Sequence, residues 1–306
     1  MTTAMSPGAR RIAITGASGF IGGALVPFLA AAGHEVRGVG RGVRSDVRWD
    51  PANGSIDAPA LDGVDAVIHL AGEPVAQRWT PTVRRAILDS RVQGTRLIAE
   101  TCAAMDVRPE VLVCSSAIGI YGDRGDEWLD ETSAAGDGFL ADVVRAWEAA
   151  AQPARAAGIR VVHMRTGVVL NPEGGALGKM MLPFQLGAGG RLGAGTQWMS
   201  WISRHDLFRA MSFAVQSPEM SGPVNAVAPE PVTNATFAST LGRVMRRPSA
   251  LPVPVFALHA LYGAMAEETI LASQRVRASA LEAAGFAFVH PTLSSALRFE
   301  LGEATA

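Results

Sequence analysis

The first apolar run of the chain, Ile12-Ala13-Ile14, gives way at once to Thr15-Gly16-Ala17-Ser18-Gly19-Phe20-Ile21-Gly22. An apolar stretch of helical length follows. This order predicts a strand, a tight turn and a helix from about Gly19 to Ala32, closed by Gly33 as its C′ residue. His34 to Val39 predicts a second strand. Unbroken apolar runs recur at Ala66–Gly72, Val111–Ser116 and Ile159–Met164. Between them lie helical segments at about Pro81–Ala104 and Phe139–Ala157. Unbroken rather than alternating apolar runs belong to parallel strands covered on both faces. The strand–helix alternation through residue 170 therefore predicts an α/β fold, a doubly wound parallel sheet with right-handed crossovers.

After residue 170 the texture changes. Gly174-Gly175, Gly187, Gly189-Gly190, Gly193 and Gly195 punctuate a stretch rich in Met, Phe and Trp. Such loops at the carboxyl ends of strands are where open α/β sheets bind ligands. Trp198-Met199-Ser200-Trp201 either lines such a site or packs a second lobe. From Pro248 onward, helices are expected at Phe256–Met265, Glu267–Ala278 and near Ser294–Phe299. The expected organisation is a dinucleotide-binding domain over 1–240, with an insertion at about 171–203. A small helical domain over 241–306 completes a smaller, mostly helical substrate lobe.

The glycine run carries the first chemistry. Gly16 permits the tight turn, Gly19 lets the backbone approach a pyrophosphate, and Gly22 lets the helix pack close to the sheet. The helix behind them presents free N–H groups and a positive dipole end to an anion. At the end of the second strand a site for NAD carries an acid that binds the ribose 2′-hydroxyl. Here the chain reads Gly40-Arg41-Gly42-Val43-Arg44, without an acid. Arg41 is suited to pair with a 2′-phosphate, and Arg44 to assist, so NADP is expected over NAD.

With 306 residues, 48% of them hydrophobic, the chain can bury an ample core, and its net charge of −1 offers no electrostatic footprint for nucleic acid. Cys102 and Cys114 have no metal spacing and fall in apolar elements, as reduced core thiols of a cytoplasmic protein do. Arg10-Arg11 abuts the first strand with no apolar segment behind it, so no secretory signal is expected. The longest apolar stretch, Ala250 to Ala266, is interrupted by Pro252, Pro254 and His259. It falls short of the ~20 residues of a membrane span. Burial in the second lobe or at a homodimer contact is expected instead. The six histidines do not cluster, no spacing suggests a metal, and Gly-x-Ser-x-Gly is absent.

Taken together, several motifs resemble the "epimerase family protein" branch of the extended short-chain dehydrogenase/reductases. They are Thr15–Gly22, His69-Leu70-Ala71-Gly72-Glu73-Pro74, Arg78-Trp79, Ser90-Arg91, Ser115–Gly122, Trp147-Glu148 and Arg165–Leu170. Further matches are Gly174-Gly175, Lys179-Met180, Pro183-Phe184, Gln197-Trp198, Gly222-Pro223-Val224-Asn225 and Pro231–Asn234. The tail from Leu241 through Arg298 is similar to the small C-terminal domain of unknown function found in this branch. The resemblance implies a Rossmann domain for NADP(H). Gly16, Ser18, Gly19, Phe20 and Ile21 would face the pyrophosphate. Gly40 and Arg41 would border the 2′-phosphate, and Leu70, Ala71 and Gly72 would pass under the adenosine half. Arg91 would reach the cofactor from its helix, and the turn from Thr166 to Val169 would border the nicotinamide.

Extended reductases typically pair Tyr-x-x-x-Lys, in which an ammonium favours the phenolate, with a Ser or Thr on the preceding strand. The tyrosines here are Tyr121 and Tyr262, and Lys179 is the sole lysine among 27 basic residues, so that motif is absent. Taking Glu148 as the anchor, its positions fall on Leu140 and Val144. The hydroxyl position of the strand falls on Ala117, with Ser116 facing the other way. Ser115, Glu73 and Lys179 are the candidate proton-handling groups. Two functions are expected to compete: an NADP(H)-dependent oxidoreductase or epimerase acting on a small molecule, such as a nucleotide sugar or carbonyl compound, and a non-catalytic NADP(H)-binding regulatory protein.

Overall fold

The computed structural model describes residues 8–302, so the outer ends of the two expected domains, 1–7 and 303–306, lie outside the described residues. The central sheet contains β1 (Arg11–Thr15), β2 (Glu35–Gly40), β3 (Val47–Asp50), β4 (Ser55–Ile56), β5 (Ala66–His69), β6 (Val111–Ala117), β7 (Arg160–Thr166) and β8 (Gly222–Ala226). Its order is β8-β7-β6-β5-β1-β2-β3-β4. Every neighbouring pair is parallel except β3–β4. The chain winds outward from β1 to β4, returns to lay β5 against the other side of β1, and winds outward again to β8. That reversal opens a crevice beyond the carboxyl ends of β1 and β5.

Among the described residues ten α-helices accompany the sheet: α1 (Gly22–Ala31), α2 (Pro81–Ala104), α3 (Phe139–Ala149), α4 (Gln152–Ala156), α5 (Gly175–Gln185), α6 (Arg204–Gln216), α7 (Asn234–Val244), α8 (Val255–Tyr262), α9 (Ser279–Ala283) and α10 (Leu293–Glu300). Successive strand residues point to opposite faces, which divides the core in two. Ile12, Ile14, Ile68 and Val113 pack with Leu25 and Leu29 of α1 and Leu207 and Met211 of α6. Ala13, Val67, Leu112 and Cys114 pack with Ile98 and Cys102 of α2 and Ala154 of α4. A third cluster joins Phe184 of α5, Phe237 and Leu241 of α7 and Leu297 of α10 around Trp201. This is the centre of the smaller lobe.

Several expected elements differ in extent. Residues up to Ile21 form the turn, and α1 begins only at Gly22. The helix expected over Phe139–Ala157 is two helices, because Pro153 lacks an N–H and takes its place in the first turn of α4. The helix expected over Glu267–Ala278 does not form. A five-residue π-turn, Ala266–Ile270, leads instead to a short strand, Arg275–Val276, paired with Trp128–Leu129. Stacking of Arg275 and Arg277 on Trp128, at 4.0 and 4.1 Å from its ring centroid, holds that segment extended. Strands β3, β4 and β8 and helices α6 and α7 were not foreseen. The expected boundary after residue 240 falls inside α7.

Candidate cofactor and substrate site

Thr15 ends β1 with a fully buried side chain. Its hydroxyl accepts from the backbone N–H of Leu70 at 3.0 Å and of Ala71 at 3.2 Å. With both acceptor positions used, the remaining proton points to His69 Nδ1, 2.7 Å away. The loop Leu70-Ala71-Gly72 is thereby fixed beside the glycine turn. Gly16 has φ +68° and lies so close to this loop that a Cβ would sit 3.0 Å from Ala71 N. A Cβ on Gly22 would overlap Gly16 O, so the helix can approach the turn only without one. Helix α1 has no side-chain cap, and Ser18, Gly19 and Phe20 are exposed at its mouth. The N–H groups of Ser18, Phe20, Ile21 and Gly22, without a partner among the described residues, and the close backbone form the cradle a pyrophosphate fits.

Arg91, on α2, steadies the loop from the other side. It donates to Glu73 O at 2.9 Å and to Ile87 O at 3.1 Å, and its guanidinium lies 4.8 Å from the Trp147 ring centroid. Gly72 packs on it, with Arg91 Cζ 3.4 Å from where a Cβ would be. Burial pushes the Arg91 guanidinium down to about 10, against the opposing pull of Glu73. Its neighbour Ser90 accepts from Glu73 N at 3.0 Å.

At the end of β2, Arg41 and Arg44 are exposed, and neither makes a hydrogen bond or ion pair among the described residues. Both remain available to an anion. Gly40 leaves room for Ser45, whose Oγ would lie 2.6 Å from a Cβ at that position. The chain also brings an acid back to this strand: Asp46 accepts from Gly38 N at 2.7 Å. Neither Ser45 nor Asp46 was singled out from the sequence. Both lie beyond the segment that the strand-end rule inspects.

Beyond the turn lies a cavity of about 610 Å³. Phe20, Ile21, Ile118 and Val169 border it from the sheet, α5 contributes Lys179 and Met180, and α8 contributes Leu258 and Tyr262. Phe20 explains Gly174-Gly175, because a Cβ on Gly174 would lie 2.7 Å from its ring. Trp198, Met199 and Ser200 line the cavity, whereas Trp201 is fully buried and donates to Glu230 O at 3.0 Å. Thus the Trp-Met-Ser-Trp segment divides between the two roles expected for it. Lys179 Nζ donates to Ala76 O at 2.9 Å and lies 5.5 Å from the Tyr262 ring centroid.

The three proton-handling candidates do not converge. Lys179 faces the cavity, but Ser115 and Glu73 are not part of its wall. Glu73 lies four residues past the end of β5 and accepts from Gln77 at 3.1 Å. Ser115 is half-buried on β6, and its hydroxyl has no partner among the described residues.

Two other hydroxyls are committed elsewhere. Arg165 forms a two-point ion pair with Glu148, with Nε–Oε1 2.8 Å and Nη2–Oε2 2.9 Å. Ser116 donates to the same carboxylate at 2.6 Å. Tyr121 accepts from Arg165 at 3.1 Å and donates to Asn225 at 2.8 Å. Burial raises the Tyr121 pKa, despite the opposing charge and hydrogen bond of Arg165. Burial would also raise that of Glu148, but the hydrogen bonds from Arg165 and Ser116 outweigh it and hold the carboxyl below its usual range. Tyr121 is therefore a structural phenol with no access to the cavity. His69 and His163 are buried and neutral, each pushed down to about 4 by burial foremost. Among the described residues no group of three or more His, Cys, Asp or Glu side chains is placed to hold a metal. Among them too, no helix is long and apolar enough to cross a membrane.

Comparison with known proteins agrees with this geometry. Residues 12–227 match the NAD dependent epimerase/dehydratase family, and residues 253–300 match a domain of unknown function, DUF1731. An epimerase family protein of Mycobacterium bovis is 44% identical over 292 residues, covering 94% of this chain and 96% of its own. A crystal structure of the human epimerase family protein SDR39U1 (isoform 2) with NADPH superposes with a TM-score of 0.88 at 34% identity. That match covers 96% of this chain and all of the human one. A nucleoside-diphosphate sugar epimerase from Corynebacterium glutamicum gives a TM-score of 0.79 at 38% identity, covering 97% of this chain and 59% of that one. The glycine turn, the switch-point crevice and these likenesses together place the chain in the NAD dependent epimerase/dehydratase family, within the branch that carries the small DUF1731 domain.

Proposed function

We propose that this protein is an NADP(H)-dependent oxidoreductase or epimerase of the extended short-chain type, acting on a small molecule held in the cavity behind the glycine turn. The observation that carries the reading is the continuity of the two sites: Phe20 and Ile21 belong to the cofactor turn and also line the cavity. NADP(H), when bound, supplies or accepts hydride. Gly16, Ser18, Gly19, Phe20 and Ile21 hold its pyrophosphate, and Arg41 with Gly40 receives the 2′-phosphate. The Leu70–Gly72 loop, fixed by Thr15 and Arg91, supports the adenosine half, and Val169 borders the nicotinamide. The free arginines of the β2 end and the NADPH in the human relative support NADP over NAD.

Lys179 positions the substrate, because it is the charged group of the cavity wall. Of the three proton-handling candidates it is also the one on that wall, and it is the proposed proton-handling group; Ser115 and Glu73 lie off the wall near the ends of two neighbouring strands. Two free, buried cysteines fit a cytoplasmic setting. The reading is tested by mixing protein and NADPH with a panel of aldehydes, ketones and quinones while following the nicotinamide absorbance. Oxidation by at least one acceptor, lost in Lys179→Met with NADPH affinity intact, is the expected result.

One observation favours a second reading, an NADP(H)-binding regulatory protein without turnover. Ser116, next to Ala117 at the family's usual strand-hydroxyl position, and Tyr121 are locked in the Arg165–Glu148 network. NADPH bound tightly but untouched by every acceptor decides for it.

A further inference from the structure

The cavity wall also speaks to the class of substrate; this inference rests on the cavity being the substrate site. Its surfaces are those of Phe20, Ile118, Met180, Phe184, Leu258 and Leu261, and no Asp or Glu contributes to it. Most of its polar side chains are turned to the protein. Asn234 accepts from Leu192 N at 2.7 Å, and Thr269 donates to Met265 O at 2.6 Å. Gln274 donates to Gly122 O at 3.1 Å, and Ser200 both donates to Gln274 O and accepts from Val276 N. What remains is one polar pole. Lys179 spends one of its three N–H donors on Ala76 O, and Tyr262 stands beside it with no hydrogen bond among the described residues.

A nucleoside diphosphate sugar would bring two phosphate charges and several hydroxyls to this wall. One ammonium cannot neutralise the former, and the apolar side chains leave the latter without partners, which is costly for buried polar groups. An apolar body ending in one carboxylate matches both features: it covers the Met, Phe and Leu surfaces and gives Lys179 the counter-ion that it lacks. We infer that the cavity takes a monoanionic amphiphile, an apolar compound carrying a single carboxylate that docks on Lys179 and Tyr262.

The test is calorimetric titration of the full chain with decanoate, 1-decanol and UDP-glucose below any micelle-forming concentration, alongside a separate fluorescence titration with NADPH. One equivalent of decanoate is expected to bind at least tenfold more tightly than 1-decanol, with no heat from UDP-glucose. In Lys179→Met the preference for decanoate should vanish while 1-decanol binding persists, which also shows that the variant is folded. Lys179→Arg should retain the preference. Binding of UDP-glucose in place of decanoate, equal decanoate affinity in Lys179→Met, or no binding of either amphiphile overturns the inference. NADPH binding without decanoate binding leaves the cofactor reading standing. Decanoate binding without NADPH binding removes the cofactor reading alone.

Discussion

Thr15 and His69, at the carboxyl ends of adjacent strands, are joined by a 2.7 Å contact from the Thr15 hydroxyl to Nδ1. That hydroxyl also accepts from Leu70 and Ala71, so one side chain couples the sheet to the loop under the cofactor. Thr15→Val keeps the shape, and Leu70 N–H keeps the Thr15 carbonyl, but the Ala71 N–H and an imidazole nitrogen lose their partner. A loss of about 1–3 kcal/mol in urea unfolding is expected, with weaker NADPH binding. Unchanged stability in Thr15→Val would refute this coupling.

Stability should also depend on pH through the buried imidazoles. His69 and His163 titrate at about 4 in the folded chain, against 6.5 as the ordinary value. The unfolded chain therefore binds more protons between these values. Their contribution is complete above pH 6.5 and declines as the pH falls toward 4, by at most about 3 kcal/mol for each imidazole. Denaturation midpoints measured from pH 7.5 to 4.5 should fall, and His163→Gln should flatten that slope.

The Arg165–Glu148 pair predicts an asymmetry. Arg165→Met leaves the half-buried Glu148 carboxylate with Ser116 alone and should cost about 3 kcal/mol, whereas Arg165→Met with Glu148→Leu should recover much of that loss. A double variant no more stable than Arg165→Met would show that the pair is not what matters. Glu148 adds an acid limit of its own. Its folded pKa is depressed, so its stabilisation is present above its ordinary value of 4.5 and is lost as the pH falls below it.

Arg41 is exposed and unpaired, so removing it should leave folding alone. Arg41→Ala is expected to weaken NADPH roughly tenfold to a hundredfold and to leave NADH nearly unchanged, as loss of a charge-assisted contact does. Fluorescence titration with both nucleotides checks it; equal losses for the two would remove Arg41 from the 2′-phosphate site.

The elements legible in the sequence were those whose signal is local. The strand–turn–helix at Ile12 to Gly22 was such a case, because each glycine answers a constraint set within a few residues or by the next strand. What escaped notice depends on distant partners. The extended backbone at Arg275–Val276 follows from Trp128, which no periodicity near residue 275 reveals. Strand β8 carries Pro223 and finds its place only by pairing with β7. The commitment of Tyr121 to Asn225 spans 104 positions. Lys179 and Tyr262 likewise meet only because α5 and α8 face one cavity.

The sole lysine of the sequence is the one at that cavity. Any amine-directed reagent that acylates or alkylates a lysine of this protein must therefore act at a single, known place. The yield at Lys179, read apart from that at the α-amino group by peptide mapping, becomes a direct readout of what occupies the cavity, and a ligand can be recognised by the protection it gives before its identity is known.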